Sequence, residues 1–259
     1  MEHPVFQKIE QSAKPDFGQI LSRSFDLFKE VWVQGLLHAL ISLVIVIPFV
    51  ILIYLPFIPL MLHDIGGNNY DAPGYSSGFE PFVGLSILAI IGYVLLAVLL
   101  LLVIQVVVFA VNAHFYKVMK KTDLGTAEDT GGYFYFLKGN LMKIFLLNLA
   151  SFGIAVLATL LCYLPIFYVM VPLQLVTVMF AFNPEMSVSE IIKACFKLGN
   201  KYWLIIFGLI IISSIIAQLG LILCLVGILV TAYFVHLPMY YLYKDTIGFD
   251  SSPPQPFAG

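Results

Sequence analysis

The chain has 259 residues, of which 61% are hydrophobic and only 11% are charged, and its mean hydropathy is +0.98. Soluble domains carry about 25% charged residues, so this composition excludes an ordinary soluble domain and indicates an integral membrane protein. The formal net charge of −2 supplies no large basic field of the kind that attracts nucleic acid, so no nucleic-acid partner is expected.

The 13 Lys and Arg residues are confined to segments that alternate with long apolar runs. These segments are 8–29, 117–143, 193–201 and the position of Lys244. The loop 62–80 contains three acidic residues and no Lys or Arg. Cytoplasmic loops of membrane proteins are enriched in Lys and Arg. The asymmetry therefore predicts that the basic segments and both termini are cytoplasmic and that the loop 62–80 faces outward.

A membrane crossing needs about 20 apolar residues, and the apolar runs predict an all-α polytopic protein with six transmembrane helices. The last two runs are each too long for one crossing, so each is interpreted as a hairpin of two. The expected organisation is an interfacial helix at 16–30, TM1 at 31–61, the outer loop 62–80, TM2 at 81–116, a cytoplasmic segment at 117–143, TM3 and TM4 at 144–182, an interfacial helix at 187–200, TM5 and TM6 at 202–241, and a cytoplasmic tail at 242–259.

Two segments have apolar side chains at helical spacing on one face and polar side chains on the other. In residues 16–30 the apolar positions recur from Phe17 at i, i+3, i+4, i+7, i+8 and i+11, and Asp16 is the expected N-cap. In residues 187–200, Ser187 and Glu190 fit a capping box. Amphipathic helices of this type lie among lipid head groups.

The two amphipathic segments align without a gap, residues 18–32 on residues 189–203, and the only two Trp residues of the chain fall at equivalent positions. Aromatic side chains at membrane interfaces act as anchors. The candidate contacts with the bilayer interface or with a membrane-protein partner are therefore Phe25, Trp32, Phe196 and Trp203. A weaker third copy at 133–145 would add a third such helix, so two or three cytoplasmic interfacial helices are expected.

Three histidines, His38, His114 and His236, are expected near the cytoplasmic ends of their crossings. Imidazole is a common metal ligand, so a three-histidine metal site is one hypothesis. No two of these histidines share a close spacing on one helix, and no carboxylate is expected among them, so hydrogen bonding between helices is the favoured interpretation. The three cysteines show no paired spacing and are interpreted as small apolar side chains. No cofactor or metal is expected.

The segments FGQILSRSFDLFKEVW (17–32) and FNPEMSVSEIIKACFKLGNKYW (182–203) also carry a family resemblance. In layout the chain resembles bacterial six-crossing proteins, namely the membrane domain fused to some glycerophosphodiester phosphodiesterases and related uncharacterised inner-membrane families. The resemblance implies the bacterial cytoplasmic (inner) membrane as the location. It brings no catalytic residues, because this sequence has no soluble segment of the size of the phosphodiesterase domain.

Three functions are compatible with the sequence. The first is a non-enzymatic protein that organises lipid or serves as an accessory subunit of a membrane complex, with the bilayer, a lipid ligand and a membrane protein as partners. The second is a transporter or channel for a neutral or lipidic substrate. The absence of Asp, Glu, Lys and Arg from the predicted crossings disfavours ion-coupled transport. The third is an intramembrane metalloenzyme that depends on the three histidines.

Overall fold

The computed structural model describes residues 3–58, 87–161, 164–223 and 227–249, and in these ranges the chain forms helices and no strand. The helices are, in chain order, α1 (Pro4–Gln11), α2 (Phe17–Tyr54), α3 (Ile87–Leu124), α4 (Leu137–Leu160), α5 (Leu164–Gln174), α6 (Val176–Phe182), α7 (Val188–Lys201), α8 (Trp203–Leu223), α9 (Gly227–Thr231) and α10 (His236–Thr246). Two 3₁₀ turns, Leu55–Phe57 and Ala232–Val235, follow α2 and α9.

Five helical stretches within the described ranges are long and apolar enough to cross a membrane. They are Phe17–Phe57, Ile87–Leu124, Leu137–Leu160, Leu164–Phe182 and Trp203–Leu221. Their outer surfaces expose large apolar side chains, such as Leu88 at 81% and Leu204 at 78%. Water would not stabilise such a surface, whereas lipid tails would cover it. The prediction of an all-α polytopic membrane protein is therefore confirmed.

The stretch predicted as TM6 consists of shorter pieces, namely α9, a 3₁₀ turn and α10. This stretch runs back along α8, as shown by the hydrogen bond of 2.6 Å that the Thr231 hydroxyl donates to the Ala217 carbonyl. Gly220 and Gly227 approach so closely that a Cβ on either would clash with the other's backbone. Residues 224–226 lie outside the described ranges. The hairpin is thus observed, and a sixth membrane-spanning helix stays a prediction.

The boundary expected between an interfacial helix at 16–30 and TM1 at 31–61 lies inside the continuous helix α2. No proline precedes Pro48 in this stretch, so nothing interrupts the backbone hydrogen bonds at residue 30. Asp16 Oδ1 accepts a hydrogen bond of 2.7 Å from the Gln19 N–H, as expected for the N-cap. The face of α2 that is buried in protein includes Ile20 and Leu27.

The third interfacial helix expected at 133–145 is not found in the part of the chain that the structure describes. Helix α3 continues from the predicted TM2 to Leu124, and α4 begins at Leu137. Residues 133–136 form turns, and Gly139 with φ +80° interrupts the first turn of α4. Only a glycine adopts this left-handed conformation without strain, so an amphipathic helix cannot continue through it. The short helix α1, in contrast, was not predicted.

Helix α7 covers nearly the predicted range 187–200, and its capping box is confirmed: Ser187 and Glu190 each bond to the other's backbone N–H. Its apolar face does not lie on lipid as expected. Ile191, Cys195 and Leu198 are fully buried, because α7 packs against α1, α5 and α6. Burial also raises the pKa of the Cys195 thiol. The other two cysteines lie outside the described ranges.

The chain divides into two compact units. One unit comprises Met1–Leu40 and Val106–Gly259, and the other comprises Ile41–Gln105. In the second unit, the Tyr93 hydroxyl donates a hydrogen bond to the Ile53 carbonyl, and the Tyr93 and Phe57 rings pack at 5.7 Å. The predicted outer loop 62–80 lies outside the described ranges, as do residues 250–259 of the predicted tail. Helix α1 and helices α4 to α10 lie wholly in the first unit.

Candidate functional site

A cavity of about 330 Å³ lies where the ends of α3, α6 and α10 meet α1. The side chains that carry its chemistry are Lys8, Lys120, Phe182, Asn183, Glu185, Tyr243 and Phe249. Lys8 lies in the last turn of α1, Lys120 lies near the end of α3, and Asn183 is the C-cap of α6. Phe182 is the last residue of one stretch that is long and apolar enough to cross a membrane, and Lys120 lies near the end of another, so the cavity lies at the ends of these apolar stretches.

The polar wall of this cavity is held by Asn183. Its Nδ2 donates hydrogen bonds to the Met179 carbonyl at 2.9 Å and to the Tyr243 hydroxyl at 2.8 Å. Both Asn183 and Tyr243 are buried, so these hydrogen bonds replace those that their polar groups would make with water. The Lys143 ammonium donates a hydrogen bond of 2.5 Å to the Pro184 carbonyl and fixes the chain just after Asn183.

The apolar wall depends on a glycine at the end of α10. Gly248 has φ +73°, and its N–H donates a hydrogen bond of 3.1 Å to the Tyr243 carbonyl, which ends the helix and reverses the chain. This turn brings Phe249 onto Phe182 at 4.7 Å and onto Tyr240 at 5.6 Å. The aromatic rings give the cavity a rigid side next to its charged groups.

A smaller cavity of about 150 Å³ shares Lys120 and Phe182 with the first cavity. Its remaining polar lining is Lys117, Glu128, Asp129 and Thr130. The Lys120 ammonium lies 3.4 Å from the Glu128 carboxylate and 5.5 Å from the centre of the Phe249 ring. The two cavities therefore form a pair of compartments in which lysines and carboxylates occur together.

Helix α1 is attached to α7 through its C-terminal end. The Lys201 ammonium donates hydrogen bonds to the carbonyls of Ile9 at 2.7 Å, Glu10 at 2.8 Å and Ser12 at 2.9 Å. The last carbonyls of a helix lack partners in a following turn, and a cation at a helix C-terminus is favourable. The Ser12 hydroxyl also donates a hydrogen bond of 2.7 Å to the Ile9 carbonyl. A second pair joins Lys197 to the Glu10 carboxylate at 2.5 Å, and this hydrogen bond holds the pKa of Glu10 below its ordinary value.

Helix α10 is attached to α3 by a partly buried carboxylate. Asp123 accepts hydrogen bonds from the hydroxyls of Tyr240 at 2.7 Å and Tyr241 at 2.9 Å and from the Lys244 ammonium at 2.5 Å. The guanidinium of Arg23 in α2 pairs with Asp245 through both of its terminal nitrogens. The ends of three helices near the cavity are thereby held together.

The four aromatic residues selected from the sequence have different surroundings. Trp32 is 42% exposed, and Phe25 is 41% exposed with its ring 5.0 Å from Phe234. Phe196 is partly buried. Trp203 stacks on Phe207 at 4.7 Å, and its Nε1 donates a hydrogen bond of 3.2 Å to a backbone carbonyl. Their proposed role at the bilayer interface or with a partner stays a prediction.

The three candidate histidines come together inside the first unit. His38 Nε2 lies 2.9 Å from His114 Nδ1, and both residues are buried. His236 is joined to this pair through aromatic rings, with its own ring 5.2 Å from Tyr233, which in turn lies 5.8 Å from His38. Within the described residues no three His, Cys, Asp or Glu side chains are placed to hold a metal ion. The sequence placed the three at a similar depth but did not predict the direct bond.

The lysines, Asn183 and Tyr243 of the larger cavity were not selected from the sequence. One signal was present, since Asn183 and Pro184 directly follow an apolar run, which is typical of a helix end. Lys8 could not be placed from the sequence, because its position depends on the contact between α1 and α7.

No protein-family model matches this chain, and neither a curated protein nor a solved structure is significantly similar to it. The resemblance to the membrane domains associated with glycerophosphodiester phosphodiesterases therefore stays a prediction.

Proposed function

We propose that this chain is a non-enzymatic membrane protein that binds the phosphate of phospholipid head groups and thereby organises lipid around itself. The proposal places it in the bacterial cytoplasmic (inner) membrane with both termini in the cytoplasm. Contacts between the basic segments support a common side: Lys201 bonds to the end of α1, and Arg23 bonds to Asp245 beside Lys244.

The observation that carries the proposal is the cavity of about 330 Å³ that contains Lys8 and Lys120. Ammonium groups are common phosphate binders, and hydrogen bonds to charged groups are stronger than neutral ones. The rigid aromatic side formed by Phe182 and Phe249 suits the glycerol and first methylene groups of a lipid.

The position of the cavity favours a lipid over a soluble phosphate compound. Its walls are the ends of α3 and α6, which belong to membrane-spanning stretches. Head groups of a bilayer lie at this depth, next to the ends of the hydrocarbon region. A lipid phosphate could therefore enter sideways from the bilayer while its acyl chains stay among other lipids.

The proposal is tested with full-length protein in nanodiscs that contain phosphatidylglycerol or phosphatidylethanolamine, by counting retained lipids in native mass spectrometry. We expect Lys8→Gln and Lys120→Gln each to weaken lipid retention about tenfold, because each removes one charge-assisted hydrogen bond. Lys29→Gln is the matched control, since the Lys29 side chain is 73% exposed and its ammonium pairs with Asp26 in the same helix.

Two outcomes contradict the proposal. Equal lipid retention by the wild type and by both cavity variants would show that the cavity does not bind lipid. Displacement of the lipid by inorganic phosphate at equal concentration would identify a site for a soluble phosphate compound instead.

An accessory subunit of a membrane complex is the second candidate, and the exposure of Trp32 and Phe25 favours it. A photoreactive amino acid at position 32 shows whether a protein or the lipid bilayer lies against this position in native membranes. Crosslinks to one protein at that position indicate a partner, whereas crosslinks to lipid alone indicate a bilayer contact. Uptake of a neutral solute by proteoliposomes would instead support the transporter alternative.

A further inference from the structure

Three hydrogen bonds in series connect α2, α3 and the turn before α4. The His38 Nδ1 lies 2.6 Å from the Gln34 carbonyl oxygen, and the His38 Nε2 lies 2.9 Å from the His114 Nδ1. The His114 Nε2 lies 3.2 Å from the Gly131 carbonyl oxygen. The two imidazole rings are nearly parallel, with an angle of 20° between their planes.

The protons of this series can be counted. A carbonyl oxygen only accepts, so the outer nitrogens, His38 Nδ1 and His114 Nε2, must both carry a proton. A neutral imidazole has one N–H, so two neutral rings with these outer bonds have no proton left for the inner nitrogens. His38 Nε2 and His114 Nδ1 would then present two lone pairs to each other at 2.9 Å.

We propose that His38 and His114 form a proton-binding site, which takes up one proton between His38 Nε2 and His114 Nδ1 and holds the Gly131 turn against α3 only while that proton is bound. The proton comes from the solvent, no covalent bond between heavy atoms changes, and the pair carries one positive charge when it is loaded.

Loss of the proton breaks one bond of the series. The hydrogen bond between the two rings needs one N–H. One ring must therefore carry its single proton on the inner nitrogen, and its outer nitrogen then no longer donates a hydrogen bond to the backbone carbonyl. The bond to Gly131 is the longest of the three at 3.2 Å, and it joins α3 to a turn, whereas Gln34 and His38 lie in the same helix. The Gly131 contact is therefore the one expected to open.

Several ionisable groups face the pair. Lys117 follows His114 by three residues in α3, so the two lie on the same side of that helix. From α10, the His236 ring packs on Tyr233, whose ring packs on His38. From the turn, the Asp129 carboxylate accepts a hydrogen bond of 2.9 Å from the Gly131 N–H.

Two tyrosine rings also pack on His38, that of Tyr133 at 4.8 Å and that of Tyr233 at 5.8 Å. Tyr116 lies further from the pair, and its hydroxyl is 3.2 Å from the His236 Nδ1. Lys117 and a protonated His236 oppose the charge of the loaded pair, whereas the Asp129 carboxylate favours it.

The turn held by the proton also lines the smaller cavity. Asp129 and Glu128 form part of its lining, and Asp129 is bonded to the Gly131 N–H. Opening the contact at Gly131 would shift these carboxylates relative to Lys120. The consequence for lipid rests on the proposed function, whereas the binding of the proton does not.

The proton is observed directly by ¹⁵N nuclear magnetic resonance on full-length protein with labelled histidine and glycine in nanodiscs. Spectra are recorded from about pH 8 to about pH 4.5, a range that brackets the ordinary histidine pKa near 6.5. The signals of the other three histidines are assigned with the variants His3→Gln, His63→Gln and His236→Gln. The remaining histidine signals then belong to His38 and His114, which all three variants retain. Comparison with Gly131→Ala identifies the Gly131 amide.

We expect the pair to change from two N–H groups to three in a single step, and the Gly131 amide signal to change at the same pH. Independent uptake of two protons by the two rings would overturn the proposal, as would neutral rings throughout the range in folded protein. Uptake without a change at Gly131 would also overturn it. None of these readings depends on lipid binding, so this proposal can fail separately from the proposed function.

Discussion

The Nζ of Lys201 lies 2.7 Å from the carbonyl oxygen of Ile9, which precedes it by 192 residues in the chain. This contact joins the end of α7 to the end of α1 and places Lys8 at the larger cavity. A lysine side chain of α7 thus donates hydrogen bonds to the terminal carbonyls of α1, and the Ser12 hydroxyl at the end of α1 also donates to the Ile9 carbonyl.

Replacing Lys201 by Met should loosen α1 without unfolding the rest of the protein. The substitution removes the hydrogen bonds to the carbonyls of Ile9 and Glu10, while the aliphatic part of the side chain is retained. We expect faster amide exchange over Pro4–Gln11, measured by hydrogen–deuterium exchange. Lys193→Met in the exposed face of α7 should leave the exchange of α1 unchanged. Equal exchange in both variants would show that Lys201 does not hold α1.

Asp123→Asn should destabilise the protein by about 2 kcal/mol. The substitution leaves the partly buried Lys244 ammonium next to a neutral amide instead of a carboxylate of opposite charge. The Asp123 side chain is only 12% exposed and accepts three hydrogen bonds, so water compensates little. Thermal unfolding in detergent measures the effect. The control is Asp26→Asn in an exposed pair, which should change stability by less than about 0.5 kcal/mol. A transition for Asp123→Asn that coincides with that of the control would refute the role of this carboxylate.

The capping box of α7 should make stability depend on pH. Hydrogen bonds from the Ser187 hydroxyl and backbone N–H lower the pKa of Glu190, so the carboxylate stabilises the fold above the ordinary glutamate pKa. This stabilisation is lost as the pH falls through the lowered pKa. Ser187→Ala should lower the melting temperature at neutral pH, and the difference from the wild type should shrink in acid.

Ser189→Ala in the same turn is the control, because its side chain is exposed and it does not occupy the cap position. Thermal unfolding at neutral and acidic pH measures both variants. A difference between Ser187→Ala and the wild type that stays constant with pH would argue against the box.

Gly199→Ala and Gly153→Ala should have opposite effects although both change a glycine inside a helix. A Cβ at Gly199 would meet the backbone of Pro172 at 3.1 Å, so we expect α5 and α7 to be forced apart at a cost of about 1–3 kcal/mol. A Cβ at Gly153 meets no atom within 4 Å, so alanine should stabilise α4 by about 0.5–1 kcal/mol. Melting temperatures in one detergent compare the pair, and a shift in the same direction for both would contradict the packing of α7 on α5.

The sequence was sufficient for features that depend on neighbouring residues. Hydropathy predicted the membrane-spanning stretches, and local chemistry predicted the N-cap at Asp16 and the capping box at Ser187. The covering of α7 by protein was not predictable, because an amphipathic face is the same whether lipid or protein lies against it. Ile191 is buried, and one of the helices that pack against α7 is α1, which is distant in sequence.

The candidate sites show the same limit. His38 and His114 were each selected, but their bond joins residues 76 positions apart on different helices. Lys8 reaches the cavity of Asn183 through α1, which Lys201 holds, and Phe249 joins them because Gly248 reverses the chain after α10. Contacts of this range follow from tertiary packing and leave no periodic signal in the sequence.

The binding of a lipid phosphate in the larger cavity is tested most directly by a phospholipid that carries a photoreactive group on its head group. The full-length protein is reconstituted with this lipid, irradiated and digested, and the labelled residues are identified by mass spectrometry. If the lipid phosphate binds there, the labels concentrate on residues that line the cavity, above all Lys8, Lys120 and Phe249. These labels are then lost in Lys120→Gln but not in Lys29→Gln. Labels spread evenly over the ends of all the helices, with the same pattern in both variants, would contradict lipid binding in this cavity.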